Sequence, residues 1–157
     1  MDLDFSKKID PKLIVAVAAA PAALTDLAIA FRAAQFVAHN SHHLVKGMTF
    51  LQDHEFIGEL YETYGEAYDV LAERIIAFNG TLDVVSVTSK AASYAAYFNP
   101  EGKGSNEIFS ALLAVEKSFC NMIKAIVPSC TDGTQNLLQD LADKSEMRQY
   151  KISRRTM

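Results

Sequence analysis

The sequence predicts an all-α protein, a four-helix bundle with one long crossover that carries a short helix. Three observations predict it. Apolar residues recur at three- and four-residue spacing along extended stretches. Seven Gly and four Pro in 157 residues are too few for a loop-rich β protein. A connection of roughly 25 residues separates two long helical stretches from two later ones, which an up-down bundle with short loops does not need.

Pro21 suits the first turn of a helix. From there Leu24, Ala28, Phe31, Gln35, Ala38, His42 and Val45 line one face, and Gly47 stops the run. A second helix is predicted from Leu51 to Phe78, with the stripe Phe56, Leu60, Ala67, Leu71 and Ile75, stopped at Asn79-Gly80. Residues 82–88 are β-branched and read as a local extended piece, followed by a short helix over Ser89–Tyr97. NPEGKG is a loop. A third long helix spans Asn106–Val127, ended by Pro128, and Asp132 or Thr134 caps a fourth that runs to about Tyr150.

Half the residues are hydrophobic and 22% are charged, so one soluble domain covers 1–157, with a short apolar N-terminal segment (1–20) and a basic C-terminal tail (151–157). Leu13–Leu24 is wholly apolar, like a signal peptide, but Asp10 and Pro11 precede it. Pro21, Thr25 and Asp26 interrupt it, which argues against a membrane span. Burial at a subunit interface is the expected fate. Cys120 and Cys130 make no disulfide framework, and reduced thiols point to the cytoplasm. Net charge is −4, which excludes a dominant nucleic-acid-binding surface over the whole molecule. Lys144–Met157 nevertheless carries five bases against Glu146, leaving −8 (−4 less the +4) on the rest.

Chemistry concentrates on the second helix. All four histidines, His39, His42, His43 and His54, fall within sixteen positions. With His54 at 0°, Asp69 lies at about 60°, Glu62 at about 80° and Glu73 at about 100°, so one face starts with an imidazole and ends with a carboxylate pair. Glu55, Glu59 and Glu66 read as a solvated face. Fifteen residues of helix put ~22 Å between His54 and Asp69, too far for one metal within one chain. An antiparallel copy, related by a two-fold axis near Glu62-Thr63, brings His54 beside the partner's Asp69 and Glu73, twice over. Gly58 and Gly65 leave room for the two helices to approach. Mixed N and O ligands suit iron or zinc.

The stretch HHLVKGMTFLQDHEFIGELYETYGEAYDVLAERIIAFNG resembles the signature of the Dps proteins (DNA protection during starvation), the dodecameric mini-ferritins of the ferritin-like superfamily. The matching positions are His42, Gly47, Phe50, His54-Glu55, Asp69-Val70-Leu71-Ala72-Glu73-Arg74 and Gly80. The paired Glu-x-x-His motif of long-chain ferritins is absent. The resemblance implies a ferroxidase centre between subunits, with His42, His54, Asp69 and Glu73 as its ligands and catalytic residues. It departs from the family at Gly58, where an Asp is usual, and at His43, where a Trp is usual. Glu62, His39 and His43 are candidates to compensate. Tyr61, Tyr64 and Tyr68 read as packing residues.

The resemblance implies an iron-storage shell, a dodecamer, that oxidises Fe(II) with peroxide or oxygen and holds ferric mineral; zinc is an alternative occupant. Asp132, at the start of the fourth helix where the Dps family lines its pores with acids, is by that resemblance the candidate for iron entry. Lys151, Arg154 and Arg155, on an end expected to be mobile, are candidates for weak, sequence-independent DNA binding. The alternatives are a DNA-binding or structural shell whose metal site the loss at Gly58 has impaired, and a ferritin-like dimer that binds another ligand.

Overall fold

In the computed structural model, the structure describes the backbone of residues 11–157 and side chains from Ala20 onward; the first ten residues of the apolar N-terminal segment lie outside it. Five helices follow in order: α1 (Pro11–Leu44), α2 (Phe50–Asn79), α3 (Val84–Ala95), α4 (Ser105–Ile126) and α5 (Asp132–Thr156), with a 3-10 turn at Val127–Ser129 before the last. The described residues contain no strand. α1, α2, α4 and α5 form the bundle, and α3 rides the crossover against α1. Among the described residues no helix is long and apolar enough to cross a membrane.

One core runs through the bundle. Leu24, Leu27 and Phe31 meet Ile57, Leu60 and Leu71, with Ile108, Leu112 and Phe119 from α4 and Leu138 and Ile152 from α5. Phe31 and Phe119 stack at 3.9 Å and join α1 to α4. The predicted α2 stripe is buried except for Phe56, which is half-buried. Gly80 closes α2 in the left-handed conformation (φ 73°), its N–H returned to the Ile76 carbonyl at 2.7 Å.

Four local expectations give way. Pro21 lies inside α1 rather than in its first turn. Helix-favouring Ala and Leu flank it, and burial of Ala20 and Leu24 helps offset the N–H it cannot donate. Residues 84–88 are helical, not extended. Asp83 caps them by accepting the Ser86 N–H at 2.9 Å, and Val87, Ala91 and Ala95 bury one face, with Val87 and Ala91 against Ile29 and Ala33. That burial outweighs β propensity. Finally, the tail belongs to α5, which continues six residues beyond Tyr150 with Ile152 fully buried. Thr131, not Asp132 or Thr134, stands at the start of α5, and Asp132 occupies its exposed first turn.

Candidate metal centre

α1 and α2 form a hairpin whose turn, residues 45–49, sets the last turn of α1 beside the first turns of α2. His42 and His54 therefore face each other, their rings stacked at 3.7 Å and 25°. The bonding is reciprocal. His42 Nδ1 donates to the His54 carbonyl at 2.9 Å, and His54 Nδ1 donates to the His42 carbonyl at 2.9 Å. A carbonyl oxygen only accepts, so each Nδ1 carries the hydrogen, and Nε2 is the ring nitrogen left to offer a lone pair. Fixing one ring nitrogen on a backbone carbonyl is the arrangement that orients an imidazole for a metal at the other nitrogen.

Aromatic neighbours wall the pair. Phe50 lies 5.0 Å from the His54 ring, and Tyr61 meets the His42 ring edge-on at 5.5 Å. Gly58 fits here for a steric reason as well: a Cβ at that position would sit 3.3 Å from Cε1 and Nδ1 of His42. Gly58 thus lies directly against the imidazole. His39 and His43 extend the cluster, with His43 5.4 Å from His42 and His39 4.8 Å from His43.

The single chain assembles the imidazoles and leaves the acids apart. Asp69, Glu73 and Glu62 are all exposed on α2. Between His54 and Asp69 the helix is unbroken, and fifteen residues correspond to ~22 Å. Among the described residues no three His, Cys, Asp or Glu side chains gather as a metal site. Lys151 and Arg154 are exposed, and Arg154 covers the Tyr150 ring at 5.5 Å. Arg155 is engaged elsewhere in the chain, as described below.

The ferritin-like domain family profile matches residues 22–155. The chain belongs to the ferritin-like domain family. No curated protein sequence matches it. Among solved structures, antigen TpF1 from Treponema pallidum superposes with a TM-score of 0.78 at 18% identity, covering 96% of this chain and 97% of that one. Dps92 from Deinococcus radiodurans gives 0.70 at 19% identity, covering 88% and 86%. Dps from Listeria innocua, in a zinc-soaked crystal, gives 0.65 at 18% identity, covering 87% and 90%. The fold is thus the one the Dps resemblance implies.

The ferritin-like bundle holds a polar core that the sequence reading did not single out. Glu116, on α4, is fully buried. Its Oε1 accepts from Tyr64 Oη at 2.6 Å and Arg148 Nε at 2.6 Å, and its Oε2 accepts from Ser145 Oγ at 2.6 Å and Arg148 Nη2 at 3.2 Å. Every donor faces the carboxylate, which is the condition under which a buried charge is tolerated. Burial, then the charge of Glu116, pushes the Tyr64 phenol well above its ordinary 10. Tyr64 is therefore a packing residue with a fixed hydrogen bond. The signal was an acid inside the apolar series Leu112, Glu116, Phe119 and Ile123.

A second buried acid anchors the end of α5. Arg155 grips Asp53 through Nε and Nη2, reaches Thr49 Oγ1 at 2.9 Å and Asn106 Oδ1 at 3.1 Å, and lies over the Phe109 ring. Burial of Asp53 favours its neutral form, but the hydrogen bonds from Arg155 and Thr49 and the Arg155 charge outweigh this and hold its carboxyl below the usual 3.8. Asp53 precedes His54, so the clamp also steadies the first turns of α2.

Proposed function

We propose that this chain is a Dps-like subunit that oxidises Fe(II) between two copies of itself and stores the ferric product. The reading is carried by the reciprocal His42–His54 pair, two imidazoles whose Nδ1 hydrogens are committed to the backbone and whose Nε2 lone pairs are left for a cation. Two nitrogens alone do not hold iron well; oxygen donors are needed. Asp69 and Glu73, exposed and one turn apart on α2, supply them from the partner in an antiparallel pairing about an axis near Glu62-Thr63, with Glu62 beside them. Fe(II) is the substrate, and peroxide or oxygen takes its electrons. Imidazole and carboxylate hold the ions at the oxidation site, and zinc competes for the same donors.

The proposed assembly is a dodecamer in the cytoplasm, with Asp132 in the exposed first turn of α5 at the pores. The alternative is a DNA-binding or structural shell in which the missing carboxylate at Gly58 has impaired the centre. Arg155 is bound to Asp53, so that reading rests on Lys151 and Arg154 alone. Stopped-flow oxidation of Fe(II) by peroxide tests the choice. The wild type is expected to oxidise iron and His54→Ala is not, with both remaining assembled by light scattering. Equal rates in the two proteins would remove the ferroxidase reading.

A further inference from the structure

All four histidines of the chain stand in one row. His39 and His43 are 4.8 Å apart ring to ring, His43 and His42 5.4 Å, and His42 and His54 3.7 Å. The inner pair is held by the backbone. The outer pair is not: His39 and His43 are exposed, and among the described residues neither ring nitrogen of either is hydrogen-bonded. Tyr61 packs at 4.6 Å against His39 and limits where that ring can swing.

One helical turn separates His39 from His43, the spacing at which two side chains stand on one face and reach a common point. With metal–nitrogen bonds of about 2.1 Å, two imidazoles sharing an ion at square to tetrahedral angles hold their ring centres roughly 4.5–5.2 Å apart. The observed 4.8 Å and 52° tilt fall within that arrangement. The ring spacing is thus one at which two imidazoles can share an ion.

We propose that His39 and His43 form a second divalent-metal site, complete within one chain and separate from the His42–His54 pair, that takes late first-row ions ahead of Fe(II). The donors decide the selectivity. No carboxylate or thiol joins the pair among the described residues, so the ion carries two neutral nitrogens and water. Such a set excludes the hard, oxygen-seeking Mg(II) and Ca(II). It ranks the transition metals by their affinity for nitrogen, with Cu(II) first, Ni(II) and Zn(II) next, and Fe(II) well behind. This goes beyond iron oxidation and does not depend on pairing of two chains.

Copper titration without iron tests it, using electron paramagnetic resonance on the full chain. The His42→Ala, His54→Ala variant is expected to bind one Cu(II) per chain, with hyperfine splitting from two nitrogens. Adding His43→Ala should weaken that binding at least tenfold and leave one nitrogen. Binding no stronger than in a variant lacking all four histidines would overturn the site. Loss of the inner pair removes two backbone bonds, so helicity is measured alongside. If that variant unfolds, the wild type is compared with His39→Ala, His43→Ala, which changes only exposed side chains. The wild type should then hold one more tightly bound Cu(II) per chain, and equal stoichiometry refutes the proposal. Iron oxidation enters neither readout, so its failure would leave these results standing.

Discussion

Arg155 closes on Asp53 across 102 residues of sequence with two charge-assisted hydrogen bonds of 2.7 Å. The Asp53 side chain is 2% exposed, whereas that of Arg155 retains some contact with water. Removing the arginine therefore leaves a buried charge with only the hydroxyls of Thr49 and Ser105 to answer it.

Arg155→Ala should cost about 2–3 kcal/mol, below the full penalty for a wholly buried pair because water can enter. For a chain of this size that lowers the melting temperature by roughly 5–10 °C. Deleting Ser153–Met157 should destabilise at least as much, since Ile152 loses its cover. Urea unfolding compares the three proteins, and a truncated chain as stable as wild type would show that the clamp contributes nothing.

The same pair fixes a pH dependence. The Asp53 carboxyl titrates lower in the folded chain than its ordinary 3.8. A depressed value contributes stability above the unfolded value and loses it as pH falls through the folded one. The stability gap between wild type and Asp53→Asn should hold at neutral pH and shrink below about pH 4. Chemical denaturation at several pH values measures it, and a gap that widens on acidification contradicts this assignment.

Complementation separates a shared centre from one within a chain. If His54 works with the partner's Asp69 and Glu73, His54→Ala and Glu73→Ala chains are each inactive alone. A mixed pair keeps one intact site of two, and random mixing makes half the pairs mixed, so about one quarter of wild-type oxidation returns. A folded, co-assembled mixture with no activity would place the ligands in a single chain.

Gly58→Asp returns the carboxylate that the Dps resemblance leads one to expect. Its Cβ needs a few tenths of an ångström of movement from the His42 ring, which sits 3.3 Å from that position. The initial Fe(II) oxidation rate should rise, with a small loss of thermal stability from the crowding. No gain, with metal still bound, would mean that another group already serves there.

Periodicity carried the bundle because each long helix buries a stripe, and stripes are visible one residue at a time. It failed where partners outside the segment decide. The β-branched run at 84–88 is helical because Ile29 and Ala33 receive Val87 and Ala91. The tail is ordered because Asp53, more than one hundred residues earlier, receives Arg155. His54 was legible from the helix face it shares with Asp69 and Glu73, and His42 only through the Dps resemblance, which its twelve-residue gap to His54 fits; that the two rings stack on each other was not foreseen. Glu116 was not, since its partners come from three positions on two other helices. In the proposed centre the carboxylates come from a second chain, and one chain displays them only as the exposed side chains of Asp69 and Glu73.

Synthesis order gives the clamp a further meaning. Asp53 leaves the ribosome long before Arg155 is made, whereas His42 and His54 emerge almost together. The stacked histidines can therefore form on a nascent hairpin while the acid beside them is still open to water. Domains fold as units during translation and long-range contacts close late. Locking of the first turns of α2 thus waits for the far end of α5, and a chain stalled before Arg155 would carry its histidines on an unfastened helix.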